Sequence, residues 1–240
     1  MKYLLSILLV IAISYSTFFY ISIFDFQGQT FYNSSDKLWA HRILDPQKIE
    51  KISSHFKGFE IDVFYSSNDN CFDVKHHGES NGMTLTKYFS KIDDVSSYKY
   101  WIDFKNLKKS NIDSSMVLMK KITDQFNLQN DIIIESKDIQ LLSNFKSLGI
   151  SISYWVPAFH VFKSILNINK VKEDLIKFSP NAISMPFSSV QFYSNKFPNY
   201  PIHCWTNNLT DEKDKLTIQK IVSVKEVKIV LTDFKTNFLK

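Results

Sequence analysis

From residue 38 onward, short apolar runs alternate with longer amphipathic, lysine-rich stretches. The runs are β-branched or aromatic and lie near 38–42, 58–65, 99–105, 131–136, 149–156, 182–187, 200–206 and 227–233. Between them, helical patterns fall near 46–57, 84–93, 111–128, 137–147, 159–178, 188–198 and 209–222. Turn residues mark several strand starts: Gly58, Gly149, and Pro201 just before Ile202. Strands alternating with helices predict parallel βα units. Eight is the number that closes a (β/α)8 TIM barrel, with a doubly wound open sheet as the alternative. One segment breaks the alternation. The string Ser66-Ser67-Asn68-Asp69-Asn70 is turn chemistry, so Phe72-Asp73-Val74-Lys75-His76 is expected to return as an extra β-hairpin strand after strand two.

The amino terminus follows a different pattern. Tyr3 to Phe24 carries no charge and is rich in Leu, Ile and Phe, with Lys2 before it and Asp25 after it. A bilayer span needs about 20 apolar residues. Residues 1–24 are therefore expected to be a signal anchor, with Lys2 on the cytoplasmic side and the rest of the chain facing outward. A cleaved signal peptide, giving a secreted protein, is the alternative, although no clear small-x-small cleavage site ends the segment. Residues 25–37 read as a polar linker, and 38–240 as one barrel domain.

Composition narrows the chemistry. The chain has 240 residues, 44% hydrophobic and 22% charged, which fits one globular domain of barrel size. Five glycines are too few for a dinucleotide fingerprint or a phosphate-cradling P-loop, and neither pattern occurs. The net charge of +5 is modest and its lysines are spread along the chain, so no nucleic-acid partner is expected. Cys71 and Cys204 have no metal-type spacing and leave room for one isolated bridge at most.

Against this lysine-rich background the chain has one arginine, Arg42, directly after His41. A guanidinium offers a rigid fork of donors suited to phosphate or carboxylate. In Gly58-Phe59-Glu60-Ile61-Asp62-Val63, Glu60 and Asp62 share one face of a strand, and Phe59, Ile61 and Val63 the other. Two carboxylates side by side in an apolar strand repel and lose solvation. A hard divalent cation answers both problems with oxygen ligands. Asp103, in Trp101-Ile102-Asp103-Phe104-Lys105, could complete a three-carboxylate site. Lys105 on the same face could bind an anionic oxygen, or simply pair with Asp103. His41 and His76 end their strands and suit general acid and base work. His77 ranks behind His76, since in an extended strand it points the other way. His160 could reach the mouth, and His55 reads as surface. His203, Trp205 and Asn207 share one face, and Trp205 could pack against a polyol or sugar. A sugar-cleaving reading of Glu60 and Asp62 as acid and base ranks last, because same-strand neighbours are poorly placed to flank a glycosidic bond from opposite sides.

Taken in order, these residues resemble the glycerophosphodiester phosphodiesterase family, part of the phosphatidylinositol-phospholipase-C-like barrels. The resemblance rests on His41-Arg42, Glu60-Ile61-Asp62, His76, Asp103-Phe104-Lys105, Trp205-Thr206-Asn207-Asn208 and Thr232-Asp233. It spans about residues 38 to 234. It implies metal-dependent phosphodiester cleavage, with calcium or magnesium on Glu60, Asp62 and Asp103. Arg42 and Lys105 would hold the phosphate, and His41 and His76 would exchange protons. Trp205 and Asn207 would line the pocket for a small-molecule or lipid-derived phosphodiester. Three departures stand out. Ile43 replaces a usual glycine and could narrow the phosphate site. His77 replaces a usual aspartate. Asp103 is one methylene shorter than the usual glutamate. Together they suggest a divergent branch or an inactive relative that binds a phosphorylated ligand. Glu135 has no firm counterpart in the pattern.

Overall fold

A computed structural model describes residues 35–159, 161–206 and 212–233, with backbone only at 35, 161–166, 212–213 and 215. Its strands are β1 (Leu38–Ala40), β2 (Gly58–Ser66), β3 (Cys71–Val74), β4 (Lys99–Phe104), β5 (Ile132–Ser136), β6 (Ser151–Trp155), β7 (Ala182–Pro186), β8 (Ile202–Trp205) and β9 (Val227–Thr232). Its helices are α1 (Gln47–Ile52), α2 (Leu85–Phe89), α3 (Ile112–Phe126), α4 (Ile139–Leu142), α5 (Val161–Phe178), α6 (Val190–Lys196) and α7 (Glu212–Ser223). Every expected strand and helix is present, with ends trimmed by a few residues. The segment expected as helix to 147 gives way after α4 to a 3-10 stretch, Ser143–Leu148, which ends at Gly149 in the left-handed region at φ 75°.

The sheet order is β1-β9-β8-β7-β6-β5-β4-β2-β3, and β1 also pairs with β2. Eight parallel strands therefore close into a barrel, and the open-sheet alternative is set aside. The ninth, β3, runs antiparallel to the outer end of β2, from Val63↔Val74 to Ser66↔Cys71. Its turn is held as the residue types suggest: Ser66 Oγ donates to Asp69 Oδ2 at 2.8 Å, and Tyr65 Oη donates to Asn70 Oδ1 at 2.8 Å.

Alternation along the strands builds two cores. Phe59, Ile61, Val63, Tyr100, Ile102, Ile134, Ile183 and Val230 turn outward and join the large core under the helices. Trp39, Trp101, Ile229 and Leu231 turn inward and form a separate cluster that fills the lumen. Trp39 lies against Gly58: a Cβ built there would sit 2.4 Å from the indole, so only glycine admits that ring. With the lumen plugged by indoles, the inward positions nearer the strands' carboxyl ends carry the polar groups.

Cys71 and Cys204 are both free, so the isolated bridge does not form. Among the described residues no helix is long and apolar enough to cross a membrane. The expected anchor, residues 1–24, lies outside the described residues, as do His160, Asn207 and Asn208. Ser35–Lys37 forms a short 3-10 turn whose Lys37 Nζ donates to Val222 O at 2.8 Å.

Candidate active site

β2 and β4 pair in register with Asp62 opposite Asp103, so inward carboxylates on the two strands become neighbours. Glu60, Asp62 and Asp103 are 1%, 0% and 8% exposed, and each offers an oxygen within 4.8 Å of the others. Two residues beyond Asp103, the Lys105 ammonium lies 2.5 Å from Asp62 Oδ1 and is bonded to Asp103 Oδ2. The Asp–Lys pairing weighed from the sequence is thus present, and it includes both aspartates. One ammonium faces three carboxylates. Asp62 Oδ2 and Asp103 Oδ1 are buried without a hydrogen-bond partner among the described residues.

The electrostatics carry the mark of that imbalance. Burial, then the Asp62 and Asp103 charges, push the Glu60 carboxyl well above the usual carboxylate range. Burial and Asp62 push Asp103 up to about 6, partly offset by Lys105. Burial works to lower the Lys105 ammonium, but Asp103 and Asp62 outweigh it and the net direction is upward. A hard divalent cation would meet the orphaned oxygens and cancel the repulsion, so this donor set fits one.

His41 follows β1, where its backbone N–H bonds Thr232 O at 3.0 Å. Its Nδ1 is 2.7 Å from Asp233 Oδ1, and its Nε2 is 3.9 Å from Glu60 Oε2. Arg42 is in the left-handed region at φ 55°, a conformation that costs a non-glycine residue about 1–2 kcal/mol. It is held there by its N–H, which donates to Glu60 Oε2 at 2.6 Å. The turn sends Ile43 outward into the large core, 3% exposed, with its carbonyl accepting from Tyr88 Oη at 2.7 Å. The Ile43 side chain therefore belongs to the outer core rather than to the mouth, where the expectation from sequence put it.

His76 lies just past β3, after Lys75, whose N–H bonds Asp62 O at 3.1 Å. Burial lowers the His76 imidazole; Asp62 works to raise it, and Arg42, His77 and Lys105 lower it further. These influences place it in the field of the same cluster. The His77 ring does not point away: its centroid is 3.7 Å from that of His76. The reason is that β3 ends at Val74 and residues 76–79 form a bend with Gly78 at φ 76°, so strand alternation no longer governs them.

The far wall of the mouth is aromatic. Trp155 and Trp205 meet edge to face with centroids 5.0 Å apart. Together with Glu135, Asp103, Lys105 and His41 they line one open cleft. Lys137 Nζ sits 4.0 Å from the Trp155 ring centre. Glu135, opposite Asp103 in register, is 2% exposed; burial and the Asp103 charge push its carboxyl well above the usual carboxylate range, with the Ser184 hydroxyl opposing. Deeper in, His203 Nδ1 lies 3.0 Å from Ser153 Oγ and its ring packs on Trp101 at 5.2 Å. Burial pushes that imidazole down to about 3, so it is neutral and structural.

Sequence reasoning gave Asp233 no role, although the closing Thr-Asp was the signal for it. Trp155 was missed as well. It lies two residues after the inward Ser153, which strand alternation alone would have flagged.

No protein-family model matches the chain, and no curated protein matches it. Several solved structures are similar to it in fold. A glycerophosphodiester phosphodiesterase from Parabacteroides distasonis gives a TM-score of 0.61 at 16% identity, over 82% of this chain and 92% of that chain. The glycerophosphoryl diester phosphodiesterase domain of a Mycobacterium tuberculosis protein gives 0.52 at 9%, over 85% and 97%. A calcium-dependent phosphoinositol-specific phospholipase C from a Pseudomonas species gives 0.52 at 11%, over 82% and 88%. The fold neighbours thus include the group that the motifs resemble. Orotidine 5'-monophosphate decarboxylase from Sulfolobus solfataricus also matches, at 0.50, so the barrel by itself does not fix the chemistry.

Proposed function

We propose that this chain is a phosphodiesterase that cleaves a small or lipid-derived phosphodiester with the help of a divalent cation, calcium or magnesium. The observation that carries this reading is the single mouth where Glu60, Asp62 and Asp103 converge, with orphaned oxygens, beside His41 and Asp233. The ordered motifs and the fold neighbours support it. Bound on the three carboxylates, the cation would act as a Lewis acid toward a phosphate oxygen.

The protein's own groups do the rest. Arg42 and Lys105 offset charge on the phosphate oxygens, where preorganised cations act most strongly. His76 is held toward its neutral form by burial and nearby cations, which suits a base. It takes the proton from the attacking hydroxyl, either water or a neighbouring hydroxyl of the substrate, as the new P–O bond forms. The bond to the leaving alcohol breaks, and His41 delivers a proton to that oxygen. Asp233 fixes the His41 ring through Nδ1, leaving Nε2 toward the cleft. With residues 1–24 as an anchor, the enzyme would work outside the cytoplasm beside a lipid surface, a proposal that rests on the sequence alone.

The direct test is hydrolysis of a glycerophosphodiester with calcium, with magnesium and with chelator. Activity that needs the cation and vanishes in Glu60→Ala, with the cooperative unfolding transition kept, is the expected result. Turnover unchanged in that variant rejects the carboxylate assignment. A second reading is a silent barrel that binds a phosphorylated ligand. It is favoured by Lys105, whose ammonium already neutralises part of the cluster. Calorimetric binding of a phosphodiester with no turnover at any divalent cation would select it.

A further inference from the structure

Barrel closure gathers charges that lie far apart along the chain. The parallel strands begin, and the helices between them end, at the floor of the barrel, opposite the mouth. There Lys57 precedes β2, Lys146 lies in the 3-10 stretch before β6, Lys177 and Lys196 stand in the last turns of α5 and α6, and Lys225 and Lys228 flank the start of β9. All six are exposed, and β2, β1, β9, β8, β7 and β6 are consecutive neighbours, so they share one continuous sector. Lys146 Nζ donates to Ser179 O at 2.8 Å, Lys225 Nζ to Asn199 Oδ1 at 3.0 Å, and Lys228 Nζ to Lys225 O at 3.2 Å. Lys37 joins them; burial, then the Lys228 charge, lower its ammonium. Floor acids do not cancel this sector. Glu226 accepts from Ser194 Oγ at 3.0 Å, and Asp36 lies 3.8 Å from Lys57. Asp124 and Asp131 belong to the other side, ahead of β5, and pair with Lys120 and Lys99. Among the described residues, Lys146, Lys177, Lys196, Lys225 and Lys228 form no ion pair with a carboxylate. The mouth has the reverse sign. Asp45, Asp69, Glu79, Asp113 and Asp138 are exposed around its buried acids, and Arg42 and the nearby lysines offset them only in part.

We propose that this lysine sector of the barrel floor docks on an anionic lipid bilayer and holds the mouth turned away from it. Complement to helix dipoles accounts for Lys177 and Lys196, but Lys57, Lys225 and Lys228 lie outside helices. A lysine near an anionic lipid surface contributes roughly fivefold in affinity. The opposite sign of the two ends sets the orientation, because the surface that attracts the floor repels the mouth. Residue type fits as well. Lysine is a mobile point charge suited to a fluid array of headgroups, while the chain's one guanidinium is at the mouth. Chain entry agrees: β1 lies between β9 and β2, so whatever precedes Ser35 joins the domain within this sector. The apolar stretch Tyr3–Phe24 would then meet the bilayer from the same side. Substrate reaches a mouth so held from water. The proposal rests on neither the phosphodiesterase reading nor an intact anchor.

The test is light acetylation of the full chain by a water-soluble reagent, read lysine by lysine by mass spectrometry. It compares phosphatidylcholine vesicles with vesicles in which about one third of the lipid is phosphatidylglycerol. Lys57, Lys146 and Lys225 should react about fivefold more slowly on the anionic vesicles, and Lys108 and Lys109, in the loop after β4 at the mouth, at one rate on both. Salt at about 1 M, where charges are screened beyond 3 Å, should remove the protection. So should Lys177→Glu combined with Lys196→Glu, with the cooperative unfolding transition kept. Equal rates on the two kinds of vesicle, protection of Lys108 and Lys109 in place of the floor, or protection that survives in the double variant overturns the proposal. Protection by soluble polyphosphate with none by anionic vesicles assigns the sector to an anionic polymer and overturns it too. Floor protection in a chain that hydrolyses no phosphodiester upholds the orientation and leaves the catalytic reading to fail on its own.

Discussion

A divalent cation should stabilise this protein more at pH 7 than at pH 5, and the size of the difference follows from Asp103. Its carboxyl is pushed up to about 6 by burial and by Asp62, with Lys105 opposing. In the unfolded chain the group titrates near 3.9. Because the folded value is the higher one, the native state binds the proton more tightly between those two values. Without a cation, stability from this group therefore falls as pH rises, by about 3 kcal/mol in all. A cation binds the ionised form, which is about one part in ten at pH 5 and about nine parts in ten at pH 7. Affinity should then weaken about tenfold at the lower pH. At a cation concentration about 100 times the pH 7 dissociation constant, the gain is about 2.7 kcal/mol at pH 7 and about 1.4 kcal/mol at pH 5. Glu60, displaced in the same direction, widens the gap. The assay is urea unfolding at both pH values, in calcium and in chelator, with Asp62→Asn as the control that should lose the increment. Equal increments at the two pH values, or none at pH 7 with either calcium or magnesium, would refute the three-carboxylate cation site.

Three further outcomes follow from particular contacts. His203, pushed down to about 3 by burial, has the opposite sign: below about pH 6.5 the unfolded chain takes a proton that the buried ring refuses. Its contribution should cost about 1.4 kcal/mol per pH unit as pH falls from there toward 3, and His203→Gln should flatten that part of the stability profile in urea titrations. Gly58→Ala would drive a methyl group into the Trp39 ring at 2.4 Å, and should destabilise by about 1–3 kcal/mol with a red-shifted tryptophan emission. Asp233→Asn removes the carboxylate 2.7 Å from His41 Nδ1, and should lower kcat by about 10²-fold or more while calcium affinity by calorimetry stays put.

Alternation made most of the barrel legible. Along β2 the side chains of Phe59, Ile61 and Val63 had to go one way and those of Glu60 and Asp62 the other, and they do. The convergence of Asp103 with that pair needed one more fact, the lateral register of β2 and β4, which no single strand contains. Where strand geometry stops, the reading weakened. Ile43 follows Arg42, whose left-handed backbone reverses the direction expected of the next side chain, so a residue feared to block the cleft supports the outer core instead. His77 lies past the end of β3, and its ring folds back on His76. Asp233 reaches His41 across the closing β9–β1 seam, so the closing Thr-Asp flags the residue while only barrel closure supplies its partner.

The lumen shows how a barrel can bear so many buried carboxylates. Trp39 and Trp101 close it below, with Ile229 and Leu231, and Gly58 gives up its side chain so that Trp39 can fit. That plug removes water from beneath Glu60 and Asp62 and raises the cost of their charge. The same desolvation strengthens attraction for whatever cation arrives from the mouth. Lys105 supplies one positive charge from within, enough to keep Asp62 and Asp103 paired but not to match three acids. On the proposed reading, a lysine at this place would set the affinity of the site. Its ammonium would compete with an incoming cation for the aspartates and, once displaced, would stay tethered within reach of a phosphate at the same cleft. Replacing it with methionine should tighten calcium binding while weakening phosphate binding, opposite effects that a purely structural ion pair would not produce. Calorimetric titrations of the Lys105→Met variant with calcium, and then with inorganic phosphate, separate the two roles, and a parallel loss of both affinities would assign Lys105 to structure alone.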